Sequence, residues 1–395
     1  MKTFFGTFAS IIIIILLLSS SNINAQSIEP PTVSLSAEKG LWIESQDKSI
    51  GFKLALRLQQ QFSVISSLTD TEPVQTDFLI RRSRVLLKGY VYDRKLNYFI
   101  QLGMDRGELT LLNAEYRWQP NALTKISFGQ LFPPTGRQFQ TISKSFQMID
   151  RSNVTRFFFT DWDLGISIHR TILISDLFAI KTAGSITHGE GKNVATATGG
   201  WAYTGRFELL PFGIFNAGGD YSESDLYREP SPKLSLGSAY YFNKDAYTKY
   251  GNIAWDGIED DISEHSYDLV FKYQGFSLLA EYINRSVDNE MLQIAPTAQI
   301  FSNKVSGSGF YVQCGKFISK NIEPTFRLSI LNPNDEAQHS NNAFTHQEKY
   351  EIGINNFLMK HSIKFQTQIG LVEEDFFNQT SRSYFEILAQ FSVSI

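Results

Sequence analysis

The chain has 395 residues, a formal net charge of −4 and one cysteine, Cys314. A single cysteine excludes an intrachain disulfide framework. The lack of a basic excess argues against a nucleic-acid partner, and past the first residues no run is apolar enough for a helical membrane span.

At the N-terminus, Met1 and Lys2 precede an almost continuous apolar run over residues 4–18, then Ser19, Ser20, Ser21 and Asn22, and then Ile23, Asn24 and Ala25. A charged start, a short apolar core and a small residue before Gln26 make a secretory signal peptide, whereas a membrane anchor needs about 20 apolar residues. Residues 1–25 are therefore expected to be a cleaved signal. Residues 26–50 are read as a periplasmic lead-in.

From Gly51 onward, segments of about ten residues alternate apolar and polar. Phe52, Leu54, Leu56 and Leu58 interleave with Lys53, Ala55, Arg57 and Gln59, and Ile363, Phe365, Ile369 and Leu371 with Lys364, Gln366 and Gln368. Successive side chains of a strand point to opposite faces, so each segment has one apolar and one polar face. About sixteen such segments predict an all-β fold, a transmembrane antiparallel β-barrel over residues 51–395 with lipid outside and water inside. The connections alternate in length. Tight turns at Asp93-Arg94, Ser175-Asp176, Gln274-Gly275, Ser319-Lys320 and Met359-Lys360 separate long polar loops at 65–77, 132–162, 188–200, 243–265, 286–305, 332–347 and 373–382. One rim of turns and one of loops is the outer-membrane pattern.

If the apolar parity meets lipid, the other lines the lumen. In segment 78–92, Arg82, Arg84, Lys88 and Tyr90 then point inward. Elsewhere Lys53, Arg57, Arg117, Lys125, Lys181, Arg206, Lys272, Arg327 and Lys364 share that side with Glu115, Glu208, Asp268, Glu281, Glu351 and Glu386. Lys or Arg on the lipid face costs about 2–4 kcal/mol at the midplane, which drives strand cations inward. Basic rungs of this kind read as an anion path; a wet wall of mixed charge is the other reading.

The 132–162 segment is too long for an idle connection, and Phe139, Phe146, Phe157, Phe158 and Phe159 argue against disorder. It is expected to fold into the lumen and set the constriction, with Arg137, Lys144, Arg151 and Arg156 facing ions, and with helical turns between Thr141 and Arg151 capped by Ser143. Residues 212–232 lack a complete strand pattern. An even strand count makes them a turn-side excursion and not a span. The C-terminal segment 384–395 shows the clearest alternation, Phe385, Ile387, Ala389, Phe391, Val393 and Ile395 against Glu386, Gln390, Ser392 and Ser394. Cys314 falls on the outward parity with Phe310 and Val312.

Catalytic and metal motifs are absent: there is no G-x-S-x-G elbow and no H-E-x-x-H helix. His169 reads as a pore-wall residue. The run Glu259-Asp260-Asp261 with Glu264 and His265, and the run Glu373-Glu374-Asp375, read as solvated outer loops. No cofactor is expected. A barrel that grips a surface partner, or an outer-membrane hydrolase, is the alternative to a channel.

Residues 78–89, Phe-Leu-Ile-Arg-Arg-Ser-Arg-Val-Leu-Leu-Lys-Gly, resemble the RRARLGLKG-type second strand of the phosphate-selective porin O and P family. Gly129-Gln130-Leu131-Phe132-Pro133-Pro134-Thr135-Gly136 resembles its GQFKEPFG-type motif, with Phe132 and Pro133 where the family often has Lys and Glu. Residues 145–151, 211–213, 219–221, 225–229, 232–237 and 271–277 resemble further stretches in the same order. The resemblance spans 41–395. It implies a sixteen-stranded outer-membrane porin, usually a homotrimer in outer-membrane lipid, passing phosphate or other small anions. Arg82, Arg84 and Lys88 match basic positions of the family motif.

Overall fold

The computed structural model describes residues 30–36, 40–69, 72–194, 199–246, 260–288, 305–335, 344–376 and 380–395. The expected signal peptide, 1–25, lies outside the described residues. So do parts of every long connection except 132–162.

Two short strands, β1 (Thr32–Ser36) and β2 (Gly40–Glu44), precede sixteen longer ones. These are β3 (Ile50–Ser67), β4 (Gln75–Val91), β5 (Leu96–Asp105), β6 (Glu108–Asn121), β7 (Thr124–Leu131), β8 (Asp163–Ser175), β9 (Phe178–Thr187), β10 (Ala202–Leu210), β11 (Lys233–Ala246), β12 (Asp260–Tyr273), β13 (Phe276–Val287), β14 (Gly307–Lys316), β15 (Ile322–Pro333), β16 (His346–His361), β17 (Ile363–Asp375) and β18 (Arg382–Ser394). Each pairs antiparallel with the next from β3 to β18. β18 then returns to β3, from Tyr384↔Ser67 to Ser394↔Arg57. The sheet closes into a sixteen-stranded barrel without a free edge.

β3 outruns β18 at the turn rim. There β2 takes over the same edge of β3, from Leu41↔Leu54 to Glu44↔Gly51, and β1 pairs outside β2. Part of the lead-in thus seals the seam that the last strand leaves open.

Burial is inverted relative to a globular core. Ile369 and Phe391 are 50% and 43% exposed, while their inward neighbours Gln368 and Gln390 are 3% and 1% exposed. A soluble sandwich hides its aliphatic face and shows its polar one. Here the apolar parity is outermost all round the barrel, as a lipid-facing wall requires.

Three expectations need correction. Asp260, Asp261, Glu264 and His265 belong to β12, and Glu373, Glu374 and Asp375 to β17; they are not loop residues. A tilted span needs about 9–11 residues, and these strands run longer, so their ends carry charge beyond the apolar band. The expected helical turn between Thr141 and Arg151 is present as a 3-10 turn at Ser143–Ser145, and two α-helical turns flank it, α1 (Arg137–Gln140) and α2 (Asn153–Phe157). Ser152 and not Ser143 is the capping residue, its hydroxyl accepting from the Thr155 amide at 3.0 Å. Ser143 instead accepts from Arg57 Nη1 at 2.8 Å.

Candidate functional site

Segment 132–162 lies inside the barrel, bonded to the inward side chains of the wall. Gln147 donates to Ser277 of β13 at 2.8 Å and to Glu323 of β15 at 2.7 Å. Its carbonyl accepts from Asn355 of β16 and Gln366 of β17. The Ile149 amide donates to Gln368, and Lys364 Nζ donates to the Phe146 carbonyl at 2.6 Å. Small inward residues make this possible. At Gly315 of β14 an added Cβ would run into Gln147 Nε2, and at Gly309 it would sit 2.6 Å from Val154.

A second segment meets it from the opposite rim. Residues 211–232, with a 3-10 turn at Asn216–Tyr221, rise into the lumen. The Glu223 carboxylate accepts from the Gln147 amide at 2.7 Å and from Gln138 Nε2 at 2.9 Å, and the Glu223 amide donates to the Ser145 carbonyl. Lys272 Nζ donates to the carbonyls of Gly219, Ser222 and Ser224. The inward turn of this segment is invisible to strand periodicity. Its sequence signal is Asp220, Glu223, Asp225 and Glu229, acids set close together opposite wall cations.

Between the two segments the charges are paired. Arg137 Nε reaches Asp268 at 2.8 Å and its Nη1 reaches Glu208 at 3.0 Å, with Ser235 accepting from Nη2. Arg206 bridges Glu208 and Asp268, both at 2.8 Å, and Arg327 holds Glu351 at 2.5 Å. All three guanidinium groups are almost wholly buried, and a buried charge survives only with such partners. Three of the basic residues singled out from sequence, Arg137, Arg206 and Arg327, therefore cement the filled side of the lumen and do not face a cavity.

The wall from β3 to β8 stays open, with two cavities along it. The one towards the long loops measures about 720 Å³ and is lined by Arg81, Arg82, Arg84, Asp105, Glu108, Asp150, Arg151, Arg156, Asp161, Trp162, Asp163, Glu190, Lys192 and Arg285 among others. The one towards the turns, about 420 Å³, is lined by Lys53, Arg57, Arg82, Arg84, Lys88, Arg117, Lys125, Lys144 and Arg151, with Glu115 its one carboxylate side chain. The first is nearly balanced in charge; the second is strongly basic. Arg82, Arg84, Arg151 and Trp162 line both, so they form the neck between them.

The neck is built by a β-bulge. The β3–β4 register passes from Gln59↔Arg82 to Gln60↔Ile80, leaving Arg81 as the extra residue. Arg81 and Arg82 both turn to Asp150, at 2.9 and 2.8 Å. Parity alone sends Arg81 to the lipid side; the clue in the sequence was that a cation cannot remain there. Burial opposes ionisation of Asp150, but Arg81 and Arg82 outweigh it and hold the carboxyl well below the usual carboxylate range. Arg84 pairs with Asp105. Among the described residues Arg151 donates to the carbonyls of Gln138, Phe139 and Thr141 and has no carboxylate partner, and it stacks over Phe146 at 4.8 Å. Burial, with Arg82 alongside, pushes its guanidinium down to about 9. Lower in the basic cavity, Lys88 and Arg117 stand 4.6 and 4.3 Å from the Phe99 ring, and Arg117 meets Glu115 at 2.7 Å. His169 sits in the wall of this cavity. Among the described residues no group of His, Cys, Asp and Glu is arranged to hold a metal ion.

No protein-family model matches this chain, and no curated protein matches it. Solved structures do. OprB of Pseudomonas putida aligns with a TM-score of 0.57 at 10% identity, over 87% of this chain and 94% of that one. The outer membrane channel DcaP of Acinetobacter baumannii gives 0.54 at 11%, over 88% and 99%. An anion-selective porin from Comamonas acidovorans gives 0.54 at 8%, over 87% and 99%. Identities this low speak for architecture alone, and the architecture is that of the sixteen-stranded outer-membrane barrel.

Proposed function

We propose that this protein is an outer-membrane porin through which small solutes diffuse passively, with a preference for anions. The observation that carries the proposal is the charge of the turn-side cavity, whose lining holds nine cationic side chains and one carboxylate side chain. Even with Arg82, Arg84 and Arg117 held by Asp150, Asp105 and Glu115 the excess is cationic, and the cavity is reached through a neck that includes Arg151. A low-dielectric wall lined by one sign of charge concentrates the opposite ion and repels its own. The motif at residues 78–89 adds phosphate to the candidate anions. Proteins of similar fold include an anion-selective porin and a channel, which fits the reading. No catalytic role is assigned to any residue. The apolar outer face supports a location in outer-membrane lipid; delivery by a cleaved segment 1–25 and assembly as a homotrimer belong to the same proposal, and OmpT of Vibrio cholerae, solved in a trimer form, aligns with a TM-score of 0.52 at 10% identity over 86% of this chain and 99% of that one.

The test is electrical. Purified protein in a planar bilayer is expected to open stable channels whose reversal potential in a salt gradient has the sign of anion flow. Lys88→Glu with Lys125→Glu is expected to move it towards cations. Lack of current returns the adhesion and hydrolase alternatives; current with cation preference removes the anion reading.

A further inference from the structure

The turn-side cavity is not lined by charge alone. Arg57 crosses its floor to the 132–162 segment and fixes Ser143, which presents Ile142 and Lys144 on either side of it. Ile142 is 50% exposed although its segment lies inside the barrel. An aliphatic side chain left half open in a polar lumen, on a segment otherwise packed down, costs hydration free energy unless something apolar covers it. Leu86, inward between Arg84 and Lys88, and Phe132, 4.6 Å from Trp162, extend the apolar surface along the same cavity. Arg57 and Arg117 bring guanidinium groups to the wall of the same cavity. Inorganic phosphate uses such donors but gains nothing from Ile142, Leu86 or Phe132.

Resting on the porin reading above, we propose that this cavity is a binding subsite for organic carboxylates with a small apolar body. The carboxylate lies among Arg57, Arg117 and Lys125, and the hydrocarbon lies against Ile142, Leu86 and Phe132. A volume of about 420 Å³ accommodates a single-ring acid, since pockets of roughly 300–1,000 Å³ hold small organic ligands.

The experiment uses the full chain in planar bilayers carrying chloride current, with benzoate, acetate and inorganic phosphate as probes. Benzoate is expected to interrupt the current at about tenfold lower concentration than acetate or phosphate, the ring being the added apolar area. Ile142→Asn with Leu86→Gln, both at positions open to the cavity, is expected to abolish that difference and leave acetate unchanged. If phosphate matches or exceeds benzoate, or the double variant keeps the difference, the subsite is overturned while an anion-signed reversal potential leaves the porin reading intact. If no current flows, the porin reading falls and calorimetry on the detergent-solubilised protein decides the subsite. Benzoate heat that Arg57→Gln with Lys125→Gln removes supports it, and absence of that heat overturns it.

Discussion

The two sides of this lumen use the same residue types to opposite ends. From β10 to β17, Arg137, Arg206 and Arg327 each touch a carboxylate, and two polypeptide segments fill the space between them. Along β3 to β8, Arg57, Lys88 and Lys125, with Arg151 from the inserted segment, face open volume with a single carboxylate side chain, Glu115, in the lower cavity. An arginine count cannot separate a path from a plug. What separates them is whether the acids are present at bonding distance, because a paired guanidinium projects little field and an unpaired one projects much.

The sharpest way to break this comparison is to remove a cation from the filled side. Arg137→Met leaves Glu208 and Asp268 with Arg206 as their one ion-pair partner among the described residues, and stranding buried carboxylates costs about 3–5 kcal/mol. Denaturant unfolding followed by tryptophan fluorescence is expected to show that loss, with the sign of the reversal potential unchanged in whatever fraction folds. A change of sign would mean that Arg137 contributes to the path after all. On the open side the expectation reverses. Lys88→Glu with Lys125→Glu, neither of which has an ion pair among the described residues, is expected to cost less than Arg137→Met, about 1 kcal/mol, and to shift the reversal potential towards cations.

The barrel itself was legible because its constraint is simple. Period-two alternation, repeated through residues such as Phe365, Gln366, Thr367 and Gln368, has one meaning when the apolar side is also the exposed side. The lumen was legible only in part. Parity placed Arg57, Arg82, Arg84, Lys88, Arg117 and Lys125 on the inner face, but parity stops at a bulge, and so Arg81 was missed. It is also silent on non-repetitive chain. Nothing periodic marks residues 211–232 as rising into the barrel, and nothing in the spacing of Arg137 and Arg327 tells that Asp268 and Glu351 lie within reach, whereas Arg206 and Glu208, two apart on β10, share a face by parity alone. Strand register sets Arg327 opposite Glu351, and the inserted segment carries Arg137 to Asp268, 131 residues away.

At the neck the comparison can be sharpened by charge. Asp150 gathers Arg81 and Arg82, and its carboxyl is held below its unfolded value of about 3.9. A depressed carboxyl contributes stability that is present above the unfolded pKa and lost as pH falls through the folded one. Conductance and unfolding are therefore expected to be insensitive to this group from neutral pH down to about 4, with loss only below that. Asp150→Asn at neutral pH should cost about 1.5–3 kcal/mol, the range for hydrogen bonds to charged groups. It should also raise anion preference, since it frees two guanidinium groups in the neck. An unchanged reversal potential would place Asp150 outside the conducting route.

The smallest effect concerns the segment that the neck leans on. Ser152 is fully buried and accepts from the Thr155 amide at 3.0 Å, while its own amide donates to Gln138 Oε1 at 2.9 Å. It therefore ties the start of α2 to α1 within one loop. Ser152→Ala removes the cap but keeps the Gln138 bond, and cap losses cost about 0.5–2 kcal/mol. Because α2 packs against β14 and β15 and not on the open wall, the loss should appear as faster current noise without a change in selectivity. Gln138→Ala breaks the other tie, and with it the bond to Glu223 from the turn-side segment. If only Gln138→Ala alters open-channel noise, the coupling between the two inserted segments, and not the helical turn, holds the neck still.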